Sequence, residues 1–433
     1  MTADLAIVGG GLLGLAAARA WLRARPGSAL VVLEKEPRLA AHQSGHNSGV
    51  LHSGLYYAPG SRKAANCRRG KALLEAWCAE RGVPFERVGK LVVATEEGEL
   101  ERLADLEARG TLHGVELHRL DADGLRRVEP AAGGLAALHL PETGIVDFRR
   151  VAEELGREVL ERGAEVRTGC EVVSIEDRAA RAGGEEPGAE LHLGDGSTLR
   201  ARRVLCCGGL QADRLARRGG LDPDRSTEEA PALRTVPFLG QYHDLTPELA
   251  ERVRGLVYPV PDPRLPFLGV HLTRRMPTDG AAPGSNGTVD AGPSAVLAFA
   301  RERYDSRLPD LRDAASALSW PGTWRLVRRH ARHAAGELHG SFSKAAFALR
   351  AARLLPCLGP EHLVPREPGI RAQALGRDGA LVDDYAFASR GPTLHLLNAP
   401  SPAATSCLAI GEELVERLER LPSDHPASSK MIP

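Results

Sequence analysis

Apolar positions along this chain fall into short continuous runs, strict alternations and helical stripes, and these set its elements. Leu5 to Lys35 reads strand, glycine turn, helix, strand, with Leu30 to Leu33 as the second strand. Ala41 to Tyr57 (AHQSGHNSGVLHSGLYY) has neither period and is predicted as a loop; at that length inside a compact domain it points to function. A helix follows over Ser61 to Arg81, with Leu73, Leu74, Trp77 and Cys78 on one face and Arg62, Lys63, Arg68 and Arg69 either solvated or rimming a site. A strand (Lys90 to Thr95), a helix (Glu97 to Arg109) and short alternating pieces reach Val146. Phe148 to Arg162 is an amphipathic helix, and Ala164 to Ile175 holds two short strands. Ala179 to Gly188 is a polar hairpin tip, and Arg203 to Gly209 (RVLCCGG) is a buried strand ending in two glycines. Short strands fill 231 to 304, including Arg234 to Leu239 and a strand carrying His271, with Met276 to Gly292 as a Gly/Pro/Ser-rich surface loop. Trp320 to Leu355 is mostly helical, interrupted near Gly336 and Gly340; His330, His333 and His339 share no metal-ligand spacing there and are expected at the surface. Leu394 to Leu418 reads strand, two-proline turn and a helix beginning near Pro402, before a Pro/Ser-rich tail from Ser423.

The first of these units carries chemistry. Gly9, Gly11 and Gly14 stand on G-x-G-x-x-G directly after the first strand, the spacing of a dinucleotide-binding turn. There a Cβ is unwelcome, and the following helix aims its N-terminal amides at a pyrophosphate. Glu34 ends the second strand twenty residues after Gly14, placed to accept hydrogen bonds from an adenosine ribose. An acid there favours FAD or NAD over NADP. Ser401, Ala403, Ala404 and Thr405, small residues beside Pro402, open the last helix, and a second set of amides facing a ligand suits the negative edge of a reduced flavin.

Length and composition narrow the picture. With 433 residues the chain has room for two domains, or for one dinucleotide domain with a second woven through it. Fifty-six basic and 56 acidic residues leave no net field to gather nucleic acid. The seven cysteines form no C-x-x-C pair and no metal spacing, so no metal is expected and reduced thiols of a cytoplasmic chain fit. No secretory leader and no run of about 18 apolar residues is visible. Contact with the inner membrane from its surface stays open.

The chain resembles the FAD-dependent oxidoreductases of the D-amino acid oxidase and glycine oxidase superfamily, and within it the L-2-hydroxyglutarate oxidase or dehydrogenase branch. The resemblance rests on HQSGHNSGVLHSGLYY (His42 to Tyr57), YPVPDPRLPFLGVHLT (Tyr258 to Thr273), GPSAVLAF (Gly292 to Phe299), GIRAQ (Gly369 to Gln373), LVDDY (Leu381 to Tyr385) and LNAPSPAATSCLAIG (Leu397 to Gly411). Departures are Cys407 where a serine is usual, the long 276 to 292 insert, and Gln241-Tyr242-His243 where an acidic, tyrosine-rich strand is familiar.

The resemblance implies an α/β fold: a Rossmann-type FAD-binding domain (1–88, 148–215 and 365–422) with an interwoven α+β substrate domain (89–147 and 216–364) on a mostly antiparallel sheet. It implies non-covalent FAD, held by Gly9, Gly11, Gly14, Glu34, Lys35, Ser44, Gly45, His46, Asn47, Ser48, Val172, Gly208 and Ser401 to Thr405. It also implies oxidation of a small dicarboxylate, L-2-hydroxyglutarate, to 2-oxoglutarate, with oxygen or a membrane quinone as electron acceptor. The oligomeric state stays open.

Moving a hydride from C2 to flavin N5 needs a base for the hydroxyl proton, and a neutral histidine suits that task. His271 and His52 are the candidates. A dicarboxylate needs at least one cation, and Arg371 resembles the superfamily's carboxylate-binding arginine, whose planar guanidinium grips bidentately. Tyr57, Tyr258 and Asn398 are candidate hydrogen-bond donors nearby. Three alternatives remain at this stage: oxidation of a related 2-hydroxy acid, oxidation of sarcosine or another amino acid, and a flavin-binding subunit without turnover.

Overall fold

The computed structural model describes residues 2–58, 60–178, 187–226, 230–264, 268–277, 287–304, 308–331 and 343–422. Most of the hairpin tip and of the 276–292 insert, His333, His339 and the tail from Ser423 lie outside these.

Two compact units emerge, one formed by Met1–Gly45, Arg149–Thr235 and Ala372–Pro433, the other by His46–Phe148 and Val236–Arg371. The first is built on parallel strands. Thr2–Val8 pairs in parallel with Leu30–Leu33 on one side and Thr198–Cys206 on the other; Glu165–Arg167 extends the sheet beyond the former, and Thr393–Asn398 beyond the latter. Antiparallel strands Val172–Arg178, Gly188–Leu193 and Ala386–Arg390 complete it. Leu5 to Val8 and Leu30 to Leu33 are buried throughout, as a parallel sheet requires, which is why they read as continuous apolar runs. The helices Leu12–Ala24 and Cys407–Glu419 pack closely enough that a Cβ on Gly411 would lie 2.6 Å from the Ala16 carbonyl carbon.

The second unit carries an eight-stranded sheet in which all neighbours are antiparallel except Lys90–Ala94 and Leu256–Pro259. Its strands alternate: Leu91, Val93, Val257, Leu272, Val289 and Ala291 enter one apolar core. Lys90, Tyr258, His271, Thr273 and Asp290, the residues between them, therefore share the opposite face. This is the expected α/β fold with a mostly antiparallel second sheet.

The units divide at places other than the boundaries expected from the sequence. Residues 46–88 group with the second unit because Val50–Leu51 and Phe85–Arg87 both pair with Gly144–Val146. Residues 216–235 group with the first because Ala216, Ala230 and Leu233 share a core with Ala374, Ala386, Ala388 and Leu397. Residues 365–371 fall in the second, where Pro365 pairs with His243. The last helix also starts later than expected, at Cys407, because 401–406 is spent on turns in which the Ser406 N–H donates to the Pro402 carbonyl. Among the described residues no helix is long and apolar enough to cross a membrane.

Candidate active site

In the first unit the glycine turn is a cradle with no room for side chains. Gly9 has φ +117°, and a Cβ on it would lie 2.4 Å from the Cys207 carbonyl oxygen, at the end of the strand that the sequence carries into CysCysGlyGly. A Cβ on Gly14 would lie 2.0 Å from the Gly9 carbonyl oxygen. Gly11 caps the helix without a side-chain bond, and Ser44 closes over it, its Oγ accepting from the Leu12 N–H at 3.0 Å. The Glu34 carboxylate accepts from the Gly10 N–H at 2.7 Å and the Glu36 N–H at 2.9 Å, tying the second strand's end to the turn. Lys35 pairs with Glu36 at 2.5 Å. Gly45 lies so close to the Ala40 carbonyl that a Cβ would approach it to 2.5 Å. These features fit a pyrophosphate and ribose of FAD: backbone exposed at a helix start, small residues around it, and one acid beside it.

The other first-unit candidates are dispersed. Val172 is buried in the sheet's core, and its carbonyl accepts from Arg218 at 2.6 Å. Gly208 precedes the helix Ala212–Arg218 and packs on Leu215. Ser401 to Thr405 form the turns before the last helix. Asn398 donates its amide to the Val382 and Asp384 carbonyls at 2.8 and 2.9 Å, which ties down the LVDDY turn.

His46, Asn47 and Ser48, expected beside Ser44 and Gly45, belong to the second unit. There His46 stacks on Tyr304 at 4.1 Å, and the Asn47 carbonyl accepts from Arg275 at 2.6 Å. Lys63 stands 5.1 Å over the Tyr57 ring, and the Tyr57 carbonyl bonds His113.

The second unit does assemble His271, Tyr258, His52 and Arg371. Val257 pairs with Leu272, so the residues that follow and precede them, Tyr258 and His271, face each other across the strands; their rings stack at 3.9 Å. His271 Nδ1 lies 2.9 Å from the Gly269 carbonyl oxygen. A carbonyl only accepts, so Nδ1 carries the proton and Nε2 is left with its lone pair. Burial, offset in part by that bond and reinforced by the charges of Lys90 and Arg371, pushes the imidazole down to about 3. It is neutral at working pH. His52 is pushed down to about 3 as well, by burial and by Lys90. The Arg371 guanidinium, at the start of the strand Gly369–Gly376, makes no hydrogen bond or ion pair with any described residue, and its charge reaches both Tyr258 and His271.

Two members of this cluster were not singled out in the sequence. Lys90 is 3% exposed, with Nζ 3.8 Å from the Tyr258 ring centroid and 4.3 Å from that of Tyr56. The Tyr56 hydroxyl is buried without a hydrogen-bond partner among the described residues, and burial holds its pKa well above the usual phenol range. The available signal was Lys90 itself, a charge on a strand (KLVVA) that is buried throughout.

The family described as DAO, FAD dependent oxidoreductase, matches residues 4–417. The chain is 41% identical to the mitochondrial L-2-hydroxyglutarate dehydrogenase of Nematostella vectensis, over 96% of this chain and 90% of that protein. It is 37% identical to the L-2-hydroxyglutarate dehydrogenase of Escherichia coli K12, over 96% and 93%. Among solved structures, an FAD-bound L-alpha-glycerophosphate oxidase from Mycoplasma pneumoniae superposes with a TM-score of 0.74 at 20% identity, covering 99% of this chain and 97% of that one. Glycine oxidase from Geobacillus kaustophilus superposes with a TM-score of 0.69 at 19% identity, covering 97% and 95%.

Proposed function

Because the chain belongs to the DAO family of FAD dependent oxidoreductases, we propose that it oxidises L-2-hydroxyglutarate to 2-oxoglutarate, with oxygen or a membrane quinone as the final electron acceptor. The observation that carries this reading is the pairing, within one unit, of a neutral histidine whose Nε2 keeps its lone pair with a guanidinium that has no anionic partner among the described residues. The substrate follows from the relatives named above, which cover nearly the whole chain.

Bound FAD supplies a two-electron acceptor for the C2 hydride. The chain supplies the rest. Gly9, Gly11, Gly14, Ser44 and Glu34 hold the dinucleotide, with Ser401 to Thr405 as the second small-residue turn toward it. Arg371 holds the carboxylate beside the reacting carbon through a charge-assisted, bidentate contact. His271 Nε2 accepts the hydroxyl proton as the C–H bond breaks, while the Gly269 carbonyl keeps the other nitrogen protonated and the ring in place. Tyr258, whose phenol is held far above its usual pKa by burial, stays neutral and walls the imidazole.

Anaerobic mixing of the purified holoenzyme with L-2-hydroxyglutarate tests the activity: the flavin absorbance near 450 nm should be lost, and an unbleached flavin would remove the reading. Arg371→Ala tests the clamp. Losing one charge-assisted contact of about 1.5–3 kcal/mol lowers kcat/KM roughly 10- to 150-fold, mainly through KM; unchanged kinetics would exclude Arg371 from that role.

A further inference from the structure

A five-carbon dicarboxylate carries a second negative charge, and a site that reads it needs a second cation. Several cations of the second unit are already committed. Lys71 lies 2.7 Å from Glu75, Arg275 and Arg366 flank Asp290 at 3.4 and 3.3 Å, and Arg274 reaches Glu86 at 3.3 Å. Lys90 differs. Among the described residues its ammonium makes no hydrogen bond and no ion pair; it stands over the faces of Tyr56 and Tyr258. The nearby groups able to become anions stay neutral: burial pushes the Cys67 thiol up to about 12 and holds the Tyr56 and Tyr258 phenols well above their usual range. A buried ammonium without a counter-charge is costly, and two ring faces recover only part of that cost. An apolar side chain would serve the strand better unless an anion arrives from outside.

The geometry says where that anion would sit. Lys90 pairs with Leu256 and Val92 with Tyr258 on adjacent strands, so Lys90, Tyr258 and His271 stand on one face of the sheet in that order. The rings of Tyr56 and Tyr258 grip Nζ from its sides and fix its position beside the stacked Tyr258–His271 pair. Arg371 acts on the same imidazole. Thus, among the described residues, two basic side chains without an anionic partner act on one imidazole, and a diacid brings two carboxylates to one hydroxyl-bearing carbon.

We propose that Lys90 is the specificity-determining residue for the distal carboxylate, binding C5 of the diacid while Arg371 holds C1. This rests on the functional reading above and adds to it the means by which diacids are told from monoacids.

A supporting consequence concerns pH. Burial holds the Lys90 ammonium down to about 7 in the free protein, with Cys67 pulling slightly the other way. The groups facing it are His52, His271, Tyr56, Tyr258 and Cys67, none of them an anion at neutral pH. The charged form binds the carboxylate, so kcat/KM for the diacid should fall as pH rises through about 7. A substrate lacking the second carboxylate should show no such limb.

The test compares three substrates of equal chain length on the FAD-loaded enzyme: L-2-hydroxyglutarate, its 5-amide, and L-2-hydroxypentanoate. Wild type should favour the diacid over both by roughly 10- to 150-fold in kcat/KM, the range of one charge-assisted hydrogen bond. Lys90→Met should lower kcat/KM for the diacid by that factor while leaving the two monoacids within about threefold, so that discrimination collapses; Lys90→Arg should restore part of it. Equal losses on all three substrates, or discrimination that survives in Lys90→Met, would overturn the proposal. The 5-amide measured on wild type keeps it testable if Lys90→Met does not fold: a wild type that treats amide and acid alike overturns it too. A wild type whose flavin is reduced by none of the three overturns the functional reading instead.

Discussion

Replacing His271 with asparagine should leave FAD bound and slow flavin reduction by L-2-hydroxyglutarate about 10²- to 10⁴-fold, the usual contribution of a positioned general base. Asparagine is the informative choice because its amide N–H can still donate to the Gly269 carbonyl, where His271 Nδ1 now stands at 2.9 Å. What is lost is Nε2. KM should move little if the carboxylates are held by Arg371 and Lys90 as proposed. The pH dependence separates this role from a packing role. His271 works in its neutral form, so activity falls as pH drops through its pKa. In the free protein that value is about 3, set by burial and by the charges of Lys90, Arg371 and His52 against the Gly269 bond. A diacid bound as proposed would neutralise Lys90 and Arg371, removing two of the influences that depress the imidazole, so its pKa would climb in the complex. The acid limb of kcat should therefore lie above the free protein's value of about 3. In His271→Asn the acid limb of kcat should vanish, while that of kcat/KM persists where the substrate's own carboxylates take up protons, at about pH 4. Stopped-flow reduction across pH measures all of this, and a variant reducing its flavin at the wild-type rate would sink the assignment.

How much of this was legible depends on how local each signal is. The glycine turn was readable because strand, turn, helix and terminal acid lie within Leu5 to Lys35, and each imposes its own residue type. His271 was readable because it stands in a strand after an aromatic-rich run that begins at Tyr258, inside a stretch that carries the family resemblance. Lys90 and Tyr56 were not singled out, because what gives them meaning is the parallel pairing of Lys90–Ala94 with Leu256–Pro259, set by a register no local pattern specifies. Tyr57 was named in place of Tyr56 for a related reason. In a loop without a period, nothing says which of two adjacent tyrosines turns inward. The unit boundary inside Ala41 to Tyr57 was hidden likewise, since it is drawn by the two-residue strand Val50–Leu51 pairing with Ile145 and Gly144.

Gly14→Ala should purify without its yellow colour. The single added carbon would stand 2.0 Å from the Gly9 carbonyl oxygen and 3.3 Å from Ile7 Cγ2. Neither neighbour can retreat. Gly9 is held at φ +117° with its own Cβ position against the Cys207 carbonyl, and Ile7 lies in the middle of the parallel sheet. The helix cannot lift away either, because Gly411 of the last helix presses on the Ala16 backbone from the other side. Overpacking typically costs about 1–3 kcal/mol, and unyielding backbone on the facing side puts this site at the upper end. If most of that strain is relieved by opening the turn, FAD affinity drops by roughly two decades. The flavin-to-protein absorbance ratio of the purified variant reads this directly. Gly98→Ala serves as the control, since a Cβ there meets nothing within 4 Å and the backbone is not left-handed. A Gly14→Ala protein that keeps a full complement of FAD would mean that this turn is not where the dinucleotide is held.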